Sequence, residues 1–160
     1  MQVLILYYSR TGNTKRLAEE IARGVREVPD VECVLKKTAE VTKHDLLAAE
    51  AIIAGSPDYF GSMASELKEI FDRFVGIRQE MENKVGAAFS TGGDSSGGKE
   101  TTLISILQAM LIYGMIIVGD PLDATGHYGI ACIEEPDAEA AQNAAKLGKR
   151  VALLAKKLQS

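Results

Sequence analysis

Three polar, glycine-containing stretches hold the side chains of this chain that are best suited to binding a small molecule. The first is "SRTGNT", from Ser9 to Thr14, which stands just before an amphipathic helical pattern. The second runs from Ser56 to Met63 and places a carboxyl beside two aromatic rings in "DYF". The third, from Ser90 to Gly98, has four glycines and four hydroxyl residues. Each follows an apolar run, so each is expected to leave the end of a strand.

The first stretch predicts a phosphate site. Hydroxyls at Ser9, Thr11 and Thr14, the Asn13 amide and backbone N–H groups at a helix N-terminus together suit a phosphate. Gly12 lets the backbone turn close to the anion. The stretch lacks the lysine of G-x-x-x-x-G-K-[ST] and the glycines of G-x-G-x-x-G, which leaves a monophosphate as the predicted ligand. The alternative is that Thr14 only caps the helix.

Apolar patterns predict strands alternating with helices along the whole chain. The predicted strands are Val3–Tyr8, Val31–Leu35, Ala51–Ala54, Val85–Phe89 and a last strand in two pieces, Met115–Val118 and Tyr128–Ile133. Gly55-Ser56-Pro57 is expected to end the third strand. The predicted helices are Thr14–Val28, a turn at His44–Ala48, Leu67–Phe74, Thr101–Tyr113 and Asp137–Leu158. This alternation indicates a doubly wound α/β fold with a parallel sheet, and residues 1–160 are interpreted as one domain.

The predicted fold brings the three polar stretches together. In open α/β sheets, ligands bind at the carboxyl ends of the strands, where all three stretches are expected to lie. Tyr59 and Phe60 would offer an apolar wall for a planar ring there. Cys33 and Cys132 lie far apart in apolar runs, so we expect buried reduced thiols and no metal site.

Composition excludes several classes of function. The net charge is −4, which disfavours nucleic-acid binding. No apolar run approaches the roughly 20 residues that span a bilayer, and Met1 enters a strand pattern without a basic leader. We therefore expect a cytoplasmic protein without membrane insertion.

Four segments, taken in order, resemble the WrbA-type NAD(P)H:quinone oxidoreductases of the flavodoxin superfamily. They are "LILYYSRTGNT", "AIIAGSPDYFGSMASELKEIFDR", "AAFSTGGDSSGGKETT" and "YGMIIVG". The resemblance implies a flavodoxin-like, three-layer α/β/α fold with five parallel strands in the order 2-1-3-4-5, and FMN as the cofactor. It also implies that the first stretch holds the FMN phosphate, the second lines the isoalloxazine, and the third contacts the ribityl chain and the pyrimidine edge. The residues so implicated are Ser9, Arg10, Thr11, Gly12, Asn13, Thr14, Pro57, Asp58, Tyr59, Phe60, Gly61, Ser90, Thr91, Gly92, Gly93 and Asp94.

Two features depart from that family. Tyr113 stands where the relatives have a histidine near the flavin, so it is a candidate catalytic residue, and packing at the helix end is the alternative. His127 is a second candidate, as a proton donor or substrate contact, against a loop histidine without a catalytic task. The second departure is length, because the stretch between the second and third strands and the stretch "GDPLDATGHYG" are shorter than in the relatives. In that family these segments help to form the tetramer and the substrate pocket, so the homodimer or tetramer and the pocket stay open.

Two functions remain at this point. The first is an enzyme that passes electrons from NAD(P)H through FMN to a quinone or a similar acceptor. The second is a flavodoxin-type carrier that moves single electrons between redox partner proteins. The segment sequences favour the enzyme, whereas the short loops favour the carrier. A charge of only −4 gives little of the field that steers a carrier to basic partners.

Overall fold

A twisted sheet with helices on both faces forms the frame of the protein. The computed structural model describes residues 1–159, so Ser160, the last residue of the predicted domain, lies outside the described residues. The strands are β1 (Gln2–Tyr7), β2 (Glu32–Lys37), β3 (Ala51–Tyr59), β4 (Ser62–Met63), β5 (Val85–Gly92), β6 (Ile116–Ile117) and β7 (Ile130–Ile133). The order is β2-β1-β3-β5, with β6 and β7 both paired to β5, and all of these pairs are parallel.

Five α-helices cover the two faces of the sheet. They are α1 (Asn13–Arg26), α2 (Lys43–Ala48), α3 (Ser65–Arg73), α4 (Lys99–Ile112) and α5 (Ala138–Leu158), with 3₁₀ turns at Thr38–Glu40 and Val75–Met81. Val3 and Ile5 pack with α1 and α5 on one face, while Leu4 and Leu6 pack with α3 and α4 on the other. Because β1 is buried on both faces, its sequence is a continuous apolar run.

The predicted fold class is confirmed. In the numbering of the structure the order is 2-1-3-5-6, and it equals the predicted 2-1-3-4-5 when the short β4 is left out and β6 and β7 are counted as one interrupted strand. The two-residue β4, which pairs antiparallel with β3, was not predicted. Within residues 1–159, no helix is both long and apolar enough to cross a membrane.

The expected end of β3 at Gly55 was wrong, since the strand continues to Tyr59. Gly55 is needed for packing, because a Cβ at this position would lie 2.1 Å from the Phe89 ring. Pro57 is tolerated because its strand runs beyond the end of β1, whose last pair is Tyr7 with Gly55. On the other side, Pro57 still pairs with Thr91 of β5. This extension carries β3 into the region of the polar loops.

Glycines allow α1 and α5 to touch backbone to backbone. A Cβ at Gly24 would lie 1.8 Å from the Ala145 carbonyl oxygen, and one at Gly148 would lie 2.1 Å from the Ile21 carbonyl oxygen. Neither distance is possible for a real side chain, so both positions need glycine. This close contact holds α1 against α5, and α1 begins directly after the first polar stretch.

A lysine side chain caps the C-terminus of α2. Lys84 Nζ donates to the carbonyl oxygens of Leu46 at 3.3 Å, Leu47 at 2.6 Å and Ala49 at 2.6 Å. Burial lowers the pKa of this ammonium group. The last carbonyls of a helix lack partners within the helix, so Lys84 satisfies groups that would otherwise need water.

Candidate functional site

The loop after β1 and the carboxyl ends of β3 and β5 line one cavity of about 370 Å³. It contains ten of the residues predicted to bind the cofactor and one residue that was not predicted, Glu134. The lining residues are Arg10, Thr11, Asn13, Thr14, Pro57, Asp58, Tyr59, Thr91, Gly92, Gly93 and Glu134. The three polar stretches therefore form one site at the carboxyl edge of the sheet, as the sequence predicted.

Six other predicted residues belong to the same loops but do not line this cavity. They are Ser9, Gly12, Phe60, Gly61, Ser90 and Asp94. Ser90 is fully buried within β5, and within residues 1–159 its Oγ has no hydrogen-bond partner.

The first loop has the geometry of an anion-binding turn. Gly12 adopts a φ of +104°, which favours glycine, and no described atom lies within 4 Å of where its Cβ would stand. The hydroxyl oxygen of Ser9 accepts from the N–H groups of Gly12 at 3.1 Å and Lys15 at 3.3 Å. Helix α1 begins at Asn13, so its N-terminal N–H groups and the positive end of its dipole face the cavity.

Thr14 does not cap α1, so that alternative was wrong. It lies inside the first turn, is buried, and its hydroxyl forms a 2.8 Å hydrogen bond with the hydroxyl of Thr91. This bond joins the first loop to the third across the floor of the cavity. The two hydroxyls therefore hold the walls of the site together.

The second loop presents its aromatic side chains to solvent. Tyr59 is 36% exposed and Phe60 is fully exposed, so Phe60 takes no part in the core. Phe60 has a φ of +55°, an uncommon conformation for a large side chain. The Tyr59 ring contacts that of Tyr8 edge to face, with centroids 6.5 Å apart. Since Tyr59 lines the cavity, this pair of rings lies beside it. A hydrogen bond with Glu66 raises the pKa of Tyr8.

A buried lysine shapes the third loop. Lys99 Nζ donates to the carbonyl oxygens of Asp94 at 2.7 Å and Ser95 at 3.1 Å. Asp94 Oδ1 accepts from the Ser96 N–H at 3.0 Å, and the hydrogen bonds from Ser96 and Ser95 lower the pKa of Asp94. Sequence reasoning missed Lys99, although its place directly after Gly97-Gly98 could have marked it as the residue that closes the loop.

Charges of both signs surround the cavity. Arg10 and Glu134 both line it. Arg16, in the first turn of α1, forms a 2.9 Å ion pair with Glu135. Glu134 was missed because it follows β7, a strand that the sequence did not connect with the phosphate loop. Its N–H donates to the carbonyl oxygen of Gly92 at 2.7 Å, which brings it to the cavity wall.

Tyr113 does not lie in this site, and its predicted place beside a flavin is corrected. It follows α4, a helix of 14 residues that begins directly after the third polar stretch, and the two ends of α4 are about 20 Å apart. The side chain is buried and its Oη donates to the Phe71 carbonyl oxygen, while the two rings pack edge to face. Burial raises the pKa of Tyr113. The alternative of packing at the helix end describes this position.

His127 lies outside the cavity of the three loops as well. It is exposed and lines a separate cavity of about 210 Å³ with Lys99, Glu100 and Tyr128, among others. Its ring contacts that of Tyr128 edge to face at 6.5 Å. Its catalytic role stays a prediction that the position of the side chain does not favour.

The residues of the cavity fit the phosphate end of FMN. A helix N-terminus, an open glycine turn and the Thr14 and Thr91 hydroxyls supply donors, and Tyr59 supplies an adjacent apolar surface. Among residues 1–159, no three histidine, cysteine or acidic side chains are grouped so that they could hold a metal ion. Cys33 and Cys132 are both free thiols, of which Cys132 is buried and Cys33 partly exposed.

The fold and the site define a flavodoxin-like protein with an anion-binding turn after its first strand. Residues 27–128 match the family described as NADPH-dependent FMN reductase, and the chain belongs to that family. This match begins after the first loop, so the glycine turn at Gly12 is an observation independent of the family match.

Individual relatives cover nearly the whole chain. The chain is 37% identical over 158 residues to "Flavodoxin" of Aquifex aeolicus (strain VF5), an alignment covering 94% of this chain and 85% of the relative. It is 34% identical over 189 residues to "NAD(P)H dehydrogenase (quinone)" of Archaeoglobus fulgidus, covering 98% of both chains. The structure of a flavodoxin from the domain Archaea matches with a TM-score of 0.82 and 28% identity, covering 98% of this chain and 99% of that one.

A flavodoxin, WrbA-like protein from Agrobacterium tumefaciens has the same fold. Its TM-score is 0.85 at 23% identity, and the match covers 98% of both chains. The predicted superfamily, the FMN cofactor and the class of flavin-dependent oxidoreductase are thereby confirmed at the level of the family.

Proposed function

We propose that this protein is a single-domain FMN enzyme that transfers electrons from NAD(P)H to a quinone or a similar acceptor. The observation that carries the proposal is the convergence of the three loops on one cavity beside exposed aromatic side chains. Family membership and the name of the Archaeoglobus fulgidus relative support the direction of electron flow. Bound FMN would supply hydride acceptance and electron donation, so no side chain needs to act as a nucleophile.

The protein's own residues would bind and orient this group. The N-terminus of α1, with Thr11, Asn13 and Thr14, would hold the phosphate through N–H and hydroxyl donors. Arg10 at the cavity wall would offset part of the phosphate charge. Thr91, Gly92 and Gly93 would contact the ribityl chain and the pyrimidine edge from the end of β5, where the absence of side chains on the glycines permits close approach.

The second loop would place the ring. Tyr59 lines the cavity, while Phe60 projects fully into solvent from the tip of the hairpin formed by β3 and β4. An apolar side chain held out in this way could cover one face of a bound ring or of a substrate, and would exclude water from it. Glu134, across the cavity, would accept hydrogen bonds from ribityl hydroxyls.

The outer face of α4 supports a homo-oligomer. Ile104, Leu111 and Ile112 are exposed on this helix, and no charged residue stands between Glu100 and the helix end. Arg78 and Glu82 flank the same surface, so a two-fold axis could pair the arginine of one copy with the glutamate of the other. We propose that a second copy of this chain covers this face. Light scattering should then give twice the chain mass or more, and Leu111→Glu should reduce it to that of one chain.

The second candidate is a flavodoxin-type carrier. The 37% identity to the Aquifex aeolicus flavodoxin favours it. Steady-state assays separate the two functions: an enzyme consumes NADH or NADPH in the presence of a water-soluble quinone, whereas a carrier gives no consumption above the rate of free FMN. The flavin released on denaturation should be FMN. Release of FAD, or failure to bind added FMN, would contradict both candidates.

A further inference from the structure

The hairpin that carries Tyr59 and Phe60 is tied to the first turn of α4 by a carboxylate. Asp58 Oδ1 accepts from the Gly61 N–H at 2.9 Å and from the hydroxyl of Thr102 at 3.0 Å. Thr102 is fully buried. One oxygen of Asp58 therefore holds both ends of the hairpin tip and connects them to a helix.

The same two segments also touch through their backbones. A Cβ at Gly98 would lie 2.9 Å from Gly61 Cα, and a Cβ at Gly61 would lie 3.0 Å from Thr101 Oγ1. Gly61 and Gly98 have φ angles of +73° and +102°, which glycine adopts without strain. The hairpin can thus approach the start of α4 only because both contact positions lack side chains.

A second hydroxyl extends this connection by one turn of the helix. The Met63 N–H donates to Ser105 Oγ at 3.0 Å, and Ser105 Oγ donates to the Thr102 carbonyl oxygen at 2.7 Å. These contacts join the hairpin to the first two turns of α4, through Thr102 and Ser105. Of the side chains in this network, Asp58 also lines the cavity.

We infer that Thr102 is a positioning residue that acts through the Asp58 carboxylate to hold the Tyr59–Phe60 hairpin in its place beside the cavity. Asp58 then supports the site by accepting the hydrogen bonds of Gly61 and Thr102, and it does not present both carboxylate oxygens to a ligand. The part of this inference that concerns FMN rests on the proposed function, while the restraint of the hairpin does not.

Limited digestion of the full chain with chymotrypsin, before FMN is added, tests the restraint directly. Phe60 is fully exposed, and its cleavage needs the hairpin to leave its helix contact. Thr102→Val removes the donor at nearly constant volume, and we expect cleavage after Phe60 to be about tenfold faster, corresponding to the loss of one hydrogen bond to a charged group. Cleavage after Tyr128, which is 49% exposed in a different loop, is the internal control and should not change.

Two matched variants complete the digestion experiment. Thr102→Ser keeps the hydroxyl and should restore the wild-type cleavage rate. Ser65→Ala removes an exposed hydroxyl that donates to Glu66 rather than to Asp58, and should leave the rate within about twofold of wild type. If Thr102→Val does not fold, as judged by circular dichroism, Thr102→Ala replaces it. Equal acceleration at Phe60 and Tyr128, or none at Phe60, would overturn the inference.

Binding of FMN gives the second readout. Loosening the hairpin should raise the Kd for FMN about tenfold in Thr102→Val and leave it unchanged in Thr102→Ser, as measured by quenching of flavin fluorescence. A faster Phe60 cleavage with an unchanged Kd would overturn the link between the hairpin and the cofactor. A wild-type chain that fails to bind FMN contradicts the proposed function, whereas the digestion result still decides the role of Thr102.

Discussion

A buried carboxyl in the segment between β6 and β7 makes stability depend on pH. Within residues 1–159, neither oxygen of the Asp120 side chain has a hydrogen-bond partner that meets standard geometry. Burial raises the pKa of Asp120 to about 6, although His127, Arg150 and the backbone N–H groups of Gly126 and Gly129 lower it in part. Ionisation of this side chain therefore lowers the stability of the folded protein.

The sign and size of the effect follow from the two pKa values. In the unfolded chain Asp120 titrates near its ordinary 3.8, and in the folded chain near 6. As the pH rises from about 4 to about 6, the unfolded chain releases this proton first, so the contribution of Asp120 to stability falls and stays low above that range. The full shift corresponds to about 3 kcal/mol. We expect about half, ~1.5 kcal/mol, because solvent screens part of the charge.

Asp120→Asn measures this contribution. The variant removes the charge at constant size. The free energy of unfolding of the variant minus that of wild type should therefore be ~1.5 kcal/mol larger at pH 7.5 than at pH 4. Urea unfolding of both proteins at each pH gives this double difference, in which the other carboxyl groups cancel. Asp123→Asn, in the same segment but exposed, is the control and should show little change. If the difference in the free energy of unfolding between wild type and Asp120→Asn is the same at both pH values, burial does not raise the pKa of Asp120.

Three further predictions concern other parts of the structure. Lys84→Met should lower the free energy of unfolding by about 3 kcal/mol in urea titrations, because three carbonyls at the end of α2 lose an ammonium donor. Lys43→Met, an exposed position within α2 itself, is the control and should have little effect. Gly148→Ala should cost about 3 kcal/mol through the α1–α5 contact, while Gly76→Ala, with no described atom within 4 Å of its Cβ position, should cost less than about 0.5 kcal/mol in the same assay. Thr14→Val should raise the Kd for FMN about tenfold by fluorescence titration, and Thr14→Ser should restore it, since only the hydroxyl bonds Thr91. An unchanged Kd in the valine variant would remove the first loop from the phosphate site.

The central strands and the loops that follow them could be predicted because their signals are local. The continuous apolar run of β1 follows from burial of both faces, and the glycine and hydroxyl residues after it follow from the turn into α1. The meeting of the loops at one edge then follows from parallel strands. These steps need no knowledge of side-chain contacts between distant parts of the chain.

Most of the missed features depend on contacts between distant residues or on the length of a helix. Gly55 reads as a strand breaker, but its role is set by the ring of Phe89, which is 34 positions away and cannot be inferred from the local sequence. Tyr113 resembled a site residue by its position in a motif, yet the length of α4 carries it to the other edge of the sheet. A carboxyl such as Asp58 can either contact a ligand or hold a loop in place, and only the hydrogen bond from Thr102, 44 positions away, shows that it holds the hairpin.

Anaerobic rapid mixing of the FMN-loaded protein with NADPH or NADH tests the proposed electron transfer. The flavin absorbance reports the oxidation state of the cofactor, so it shows whether the nicotinamide is an electron donor for this site. We expect rapid loss of this absorbance to the two-electron reduced level, followed by its return when a quinone is added. Absorbance that stays unchanged with both nicotinamides would contradict the proposed enzyme and favour the electron carrier.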